Sequence, residues 1–416
     1  MHVVDTTMFW SPTGGGVRRY LQTKHAWLAR RPGWRHTLAV PLVAGAEAGP
    51  ATLPSLPLPA SGGYRLPLRR GAMARVLATL APDVIEAGDP YRVAWAARDA
   101  AARRGCPAVA YCHSNIESMA RLAGGRRVGA TAARWARRYA RHVYGGFDLV
   151  FAPSRSMAAH LAGWGVERVA CQPLGVDTRA FHPSRADPAW RRRHGWTAST
   201  RLLVFAGRFA AEKHLDVLVD AVERLGPPYA LALIGAGPLP PRRSERVVVL
   251  PFLATAELAT ALASADAFVH AGDQETFGLS VLEALACGTP AVVRAAEGLA
   301  ELVDAGADAG SAAAGHDSDD GDGSGQTAAG GRIGLAVDRG TGAAFAEAIA
   351  SLFEDDRAAL AAAARRRAEA SDWERVLTDL TGHYLRLLGR ETAPAARAPP
   401  EEATAGGAPS LTPLPR

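Results

Sequence analysis

The chain has 416 residues, 48% of them hydrophobic, and a formal net charge of +6, a length that suggests two or three domains of about 150 residues with ample material for two cores. Its four cysteines, Cys106, Cys112, Cys171 and Cys287, lack metal-ligand spacing and lie in apolar contexts that suit buried thiols, which points to a reducing cytoplasm. No basic and apolar leader opens the chain and no apolar run approaches the ~20 residues of a spanning helix, so any membrane contact is expected to be peripheral.

His2 to Thr6 reads as a short buried strand. The run Gly14-Gly15-Gly16-Val17-Arg18-Arg19-Tyr20 then opens a helix through Leu21, Lys24, Trp27 and Leu28, a glycine turn that lets a ligand approach the backbone. Val40 to Arg70 is rich in Pro, Gly and Ala and reads as loops. A strand is expected within 82–87, a helix over 91–104, and another strand at Ala108–Cys112 that closes on His113. Read alone, a histidine at a strand end is structural more often than catalytic. Between Arg126 and Tyr144, Arg126, Arg127, Arg134, Arg137, Arg138 and Arg141 alternate with Trp135, Tyr139 and Tyr144. This pattern suits an anionic bilayer surface, and equally a solvated face with aromatics buried beneath it. A strand and helix follow over 148–164, and Pro183, Pro188 and Arg191–Arg193 mark a linker at 175–198.

The second domain begins with the strand Leu202–Ala206 and Gly207-Arg208-Phe209-Ala210-Ala211-Glu212-Lys213. Arg208 and Lys213, at a strand's carboxyl end and a helix's start, can converge on a pyrophosphate. Strands at 231–234 and 247–253 come next. Then Asp273-Gln274-Glu275-Thr276-Phe277-Gly278-Leu279-Ser280-Val281-Leu282-Glu283 lies between the apolar runs 267–270 and 291–293, reading as strand, loop, helix, strand. The helix is expected from Phe277 to the stop at Gly288 and Pro290, with free N–H groups that favour an anion at its start. Glu275 and Glu283 would stand roughly 12 Å apart at ~1.5 Å rise per residue, too far for two carboxylates sharing one glycosidic bond. They suit a clamp on a ligand with hydroxyls at both ends and a diphosphate between them: Glu283 on ribose, the N–H groups of Phe277, Gly278 and Leu279 on phosphate, Glu275 on the sugar. Residues 305–331 and 391–416 have the composition of disordered segments. Ser371-Asp372-Trp373-Glu374 reads as a capping box that opens a helix within 371–390.

The stretch 273–290 resembles the glutamate-x7-glutamate signature of retaining GT-B glycosyltransferases, in particular family four, through its T-F-G-L and L-E-A-L-A-C-G-T-P context. Gly207-Arg208 to Lys213 matches the family's G-R-x4-K, Gly14–Val17 its G-G-V loop, and Pro173-Leu174-Gly175-Val176-Asp177 its exit from the first domain. The resemblance implies an α/β GT-B fold, two Rossmann-like domains facing each other across a cleft, with an acceptor domain at 1–174 and a nucleotide-sugar domain at 199–370. It further implies that Gly15 and Gly16 face the diphosphate, that His113 lies near the sugar's distal hydroxyl, and that Gly235, Phe252 and Leu253 line the base. The helix at 371–390 would cross back to the first domain.

The expected activity is transfer of a hexose from a UDP- or GDP-sugar, with retention, to a lipid-linked or glycan acceptor. Arg208, Lys213 and the helix N-terminus would stabilise the leaving diphosphate with no metal and no cofactor beyond the donor, and no Asp-x-Asp motif sits at a strand end. A synthase or epimerase using the same donor is the enzymatic rival, and a sugar-nucleotide sensor or a nucleic-acid binder the non-enzymatic one; no motif for nucleic acid accompanies the charge. The first 185 residues carry about 25 Lys and Arg against about 10 Asp and Glu. A basic acceptor domain suits peripheral contact with an anionic membrane, at the inner face.

Overall fold

The computed structural model describes residues 1–10, 15–41, 51–53, 55–57, 65–304 and 332–390. The first half supplies β1 (His2–Thr6), β2 (Arg35–Pro41), β3 (Ala51–Leu53), β4 (Ser55–Pro57), β5 (Arg65–Pro67), β6 (Val84–Ala87), β7 (Ala108–Tyr111), β8 (Leu149–Ala152) and β9 (Val169–Cys171). Seven of these form a parallel sheet in the order β3-β2-β1-β6-β7-β8-β9, while β4 and β5 pair as a small antiparallel ribbon. The second half supplies β10 (Arg201–Ala206), β11 (Tyr229–Ile234), β12 (Val247–Leu250), β13 (Ala267–His270), β14 (Ala291–Arg294) and β15 (Gly334–Val337), ordered β12-β11-β10-β13-β14-β15.

Both sheets are covered by helices, so their central strands are buried without alternation: Leu202–Phe205 and Leu231–Leu233 are apolar throughout, and Val84–Ala87 is apolar except for Glu86. In each sheet the strand order reverses beside its first strand, between β1 and β6 and between β10 and β13. Open α/β sheets bind ligands outside the carboxyl ends of their strands at such reversals. The two Rossmann-like domains expected from the sequence are therefore present, each with one such crevice.

Several local expectations are corrected. The stretch read as loops within 40–70 contributes β3 to the first sheet and the β4–β5 ribbon. The interdomain segment is ordered, with a turn at Pro183–Arg185 and a helix at Pro188–Arg193, because Trp190 and Trp196 bury their rings together, centroids 5.4 Å apart. Proline at the first helical position starts that helix instead of breaking it. Cys112 and Cys287 are buried, but Cys171 is exposed on the edge strand β9. The helix expected within 371–390 runs over Trp373–Leu387, and its cap is Asp372, which accepts the Glu374 N–H at 2.9 Å, not Ser371. The expected disordered segments, 305–331 and 391–416, lie outside the described residues.

The Trp373–Leu387 helix does cross back to the first domain. Lys24, fully buried in the Gly16–Ala29 helix, donates to Tyr384 Oη at 2.7 Å and to Asp5 at 2.8 Å, and stands 3.1 Å from Glu86. Tyr384 also donates to Glu86, and Trp27 Nε1 donates to Glu374 at 2.7 Å. Among the described residues no helix is long and apolar enough to cross a membrane.

Candidate active site

The signature loop leaves the carboxyl end of β13 and enters a helix over Leu279–Ala286. That start is two residues later than expected. Gly278 takes φ +95°, a conformation open to glycine at little cost, and turns the chain so that Phe277 is buried before the helix begins. Glu275 lies in the loop with its carboxylate ion-paired to Lys213, which ends the turn Ala211–Lys213 after β10. His270, the last residue of β13, stands with Nε2 3.5 Å from the same carboxylate. The Gly272 N–H donates to His270 Nδ1 at 3.2 Å, so the ring proton sits on Nε2 and points to Glu275. Burial pushes the Glu275 carboxyl up, but the Lys213 ammonium and the His270 bond outweigh it and hold it at about 2. Glu275 is therefore an anion across the physiological range and has no proton to give.

Arg208 is 67% exposed and pairs with Glu212 at 2.7 Å. It does not share an acceptor with Lys213 here, and an exposed pair of this kind is worth only about 0–1 kcal/mol, so a stronger anion can take the guanidinium. Gly235 follows β11 with φ +145°, and a Cβ there would overlap the Gly207 carbonyl, so the two strand-end loops touch through bare backbone. Leu253 packs partly against the core, whereas Phe252, beyond β12, is 74% exposed. Glu283, inside the helix, is 3% exposed and ion-paired with Arg19 of the first domain.

His113 faces this loop from the other side of the cleft. Its carbonyl accepts Thr276 Oγ1 at 3.1 Å, which ties the end of β7 to the signature loop. Its ring stacks on Tyr111 with centroids 4.3 Å apart, and Nε2 is buried without a protein partner. Burial, helped by the Lys24 charge, pushes the imidazole down to about 3, so it is neutral. Gly15 precedes the Gly16–Ala29 helix, and Gly16 sits opposite the start of the signature helix: a Cβ on it would lie 3.7 Å from Leu279 Cδ2. Further ties across the cleft run from the N–H groups of Arg155 and Ser156 to Glu301, at 2.9 and 2.7 Å.

The structure thus brings together Lys213, Glu275, Phe277, Gly278, Leu279, Gly16 and the backbone of His113, and it holds Arg208 and Phe252 out toward solvent. Sequence reasoning missed His270, Thr276 and Arg19. His270 was legible only as the end of an apolar run. Its position at a strand's carboxyl end, at the strand-order reversal, is the signal that marks it.

Residues 200–355 match the family model described as Glycosyl transferases group 1, and residues 14–180 the model Glycosyltransferase Family 4. A GDP-mannose-dependent alpha-(1-6)-phosphatidylinositol dimannoside mannosyltransferase of Mycobacterium tuberculosis is 33% identical over 326 residues, covering 73% of this chain and 82% of the relative. A GDP-mannose-dependent alpha-mannosyltransferase of Mycolicibacterium smegmatis is 33% identical over 353 residues, covering 83% and 84%. Among solved structures, Anabaena HepE in complex with UDP and glucose superposes with a TM-score of 0.67 at 19% identity, covering 92% of this chain and 98% of that one. With its two facing Rossmann-like domains and a family model matched over each half, the chain belongs to glycosyltransferase family 4, the group 1 glycosyltransferases of the GT-B fold.

Proposed function

We propose that this glycosyltransferase moves a mannosyl group from GDP-mannose, with retention and without a metal, to a lipid-linked acceptor at an anionic membrane surface. The observation that carries the reading is the Lys213–Glu275 pair, oriented by His270 at the carboxyl end of β13 and tied through Thr276 to His113 across the cleft. The donor is supported by the two relatives named as GDP-mannose-dependent mannosyltransferases, which are 33% identical to this chain over 326 and 353 aligned residues.

In the reaction the bond from sugar C1 to the β-phosphate oxygen breaks and a bond from C1 to an acceptor oxygen forms on the same face. The acceptor's proton passes to the leaving phosphate oxygen, since Glu275 is already ionised and is in no state to donate. Negative charge grows on the diphosphate, where Lys213, Arg208 once released from Glu212, and the first N–H groups of the Leu279–Ala286 helix would meet it. Glu275 would hold sugar hydroxyls, Glu283 the ribose, and neutral His113 would offer Nε2 to a distal hydroxyl.

The membrane reading is supported by the Ile116–Tyr144 helix, which bends at Gly125 and exposes Met119, Leu122, Val128 and Trp135, the last by 68%. Arg134 and Arg138 are exposed beside Trp135. Of the aromatics expected to be buried beneath this helix, Tyr144 is, but Trp135 and Tyr139 are not. The side chains of Arg126 and Arg127 lie outside the described residues. An indole flanked by guanidinium groups suits a headgroup layer.

The test is incubation with GDP-mannose or UDP-glucose and either phosphatidylinositol dimannoside or octyl α-mannoside, with and without EDTA. Transfer from GDP-mannose giving an α-linked product in EDTA is the expected result. A β-linked product, or transfer that EDTA abolishes and magnesium restores, overturns retention or metal independence respectively. Binding of either donor with no turnover favours the sensor reading.

A further inference from the structure

Glu297 opens the Glu297–Val303 helix with φ +44°, a left-handed conformation that is costly for any residue with a Cβ. Its neighbour is pressed against the signature loop: the Gly298 N–H donates to the Glu275 carbonyl at 3.1 Å, and a Cβ on Gly298 would lie 2.8 Å from Phe277 Cα. Glu297 thus leaves the chain beside Glu275 and reaches across the cleft. Its Oε1 accepts Asn115 Nδ2 at 2.6 Å and Ser118 Oγ at 3.3 Å, both in the first domain. Asn115 is fixed in turn as the cap of the Ile116–Tyr144 helix, accepting the Ser118 N–H at 3.1 Å. The other oxygen, Oε2, is buried and has no partner.

A strained backbone and an unsatisfied buried carboxylate oxygen in one residue are both unfavourable, and glycine would relieve both. What Oε2 lacks is a donor, and the groups that meet this cleft from solvent are the substrates. On the transferase reading, the second domain's strand-end groups, Lys213 and Gly235, with Arg208 once released from Glu212, would serve the donor. Glu297 instead bonds to the first domain, at Asn115 and Ser118, the former two residues along from the His113 carbonyl that Thr276 holds. Burial raises its carboxyl above the usual range against the Asn115 and Ser118 bonds, and the Glu275 charge adds to the rise, which suits a group that completes its hydrogen bonding when a ligand arrives.

We propose that Glu297, oriented by Asn115 and Ser118, forms an acceptor subsite that binds a hydroxyl of a polyol or sugar-ring acceptor next to the one that is glycosylated. The assignment rests on the transferase reading above. Glu297 is a positioning residue for the acceptor and takes no part in bond making.

Glu297→Gly and Glu297→Gln are compared with the unaltered protein, using GDP-mannose as donor and phosphatidylinositol dimannoside or octyl α-mannoside as acceptor. Acceptor KM is expected to rise about tenfold or more in both variants while donor KM shifts by less than about twofold. Glu297→Gly, freed of the strained φ, is expected to melt at the same temperature as the unaltered protein or higher. Equal rises in both KM values would place Glu297 at the donor and overturn the subsite. Unchanged acceptor KM with a lowered Tm would make it a brace between the domains and overturn it too. If the unaltered protein hydrolyses GDP-mannose but transfers to neither acceptor, the polyol assignment fails; if it does neither, the transferase reading fails and this one with it.

Discussion

Arg19 of the first domain is ion-paired with Glu283 of the second, across the cleft. The acid that suits a donor's ribose hydroxyls is therefore already oriented by a cation on the helix that follows the glycine turn. The second acid, Glu275, is oriented by a cation of its own domain, Lys213. The two acids of the signature thus differ in what holds them, one depending on domain closure and the other not.

This difference predicts unequal kinetics. Glu283→Gln should raise donor KM about tenfold with a small change in kcat, the loss of one ground-state contact. Glu275→Gln should lower kcat by about a hundredfold as well, because it removes the partner of Lys213 and of the sugar that reacts. Steady-state kinetics with GDP-mannose separates the two; equal effects on KM alone would remove Glu275 from the sugar.

Acid stability should show two windows. Glu275 is held at about 2 against 4.5 in an unfolded chain, so its contribution is complete above about pH 5 and is lost as pH falls toward 2. His113 is held at about 3 against 6.5, so the unfolded chain takes up its proton first and stability falls as pH drops from 6.5 toward 3. Calorimetry should find the Tm gap between the unaltered protein and Glu275→Gln closing only in the lower window. His113→Gln should flatten the slope in the upper one.

Lys24→Met should be strongly destabilising. The buried ammonium is the cation shared by Asp5, Glu86 and the Tyr384 hydroxyl, and removing it leaves two carboxylates without one. The expected loss is about 3–5 kcal/mol in urea unfolding. Adding Glu86→Gln should recover part of it, since one of the uncompensated charges is gone.

The Ile116–Tyr144 helix should carry vesicle binding. Co-sedimentation with phosphatidylinositol-containing vesicles is expected at low salt and not at 1 M, where the Debye length is about 3 Å. Trp135→Ala and the pair Arg134→Gln with Arg138→Gln should each weaken it while leaving donor KM unchanged. Protein that stays in solution with such vesicles at low salt would exclude the membrane reading.

Strands such as β10 and β11 and the signature were legible because parallel strands buried on both faces read as unbroken apolar runs, as at Leu202–Phe205, and because glycines mark their ends. What the sequence hid were contacts made only after folding. Nothing local in Arg19 or Glu297 announces a partner more than a hundred residues away. His270 was absorbed into its strand because burial and apolarity look alike there. The helix start was misjudged because Phe277 suits a helix by pattern, while the left-handed turn at Gly278 is set by packing of the loop against Gly298. The helix within the linker went unread because prolines and arginines mask the two tryptophans, Trp190 and Trp196, that anchor it.

The Trp373–Leu387 helix completes the first domain from the far end of the chain. Lys24, Asp5 and Glu86 are all synthesised early, yet the hydroxyl of Tyr384 that joins them lies 298 residues beyond Glu86 and 360 beyond Lys24, and the Glu374 carboxylate that meets Trp27 lies 347 residues beyond it. During synthesis the second domain can therefore reach its final packing before the first does, the reverse of the usual N-terminal-first order. A break in the chain just before Trp373 would leave the cluster of the earlier half without the Tyr384 hydroxyl, and the return of that helix as a separate peptide would restore it.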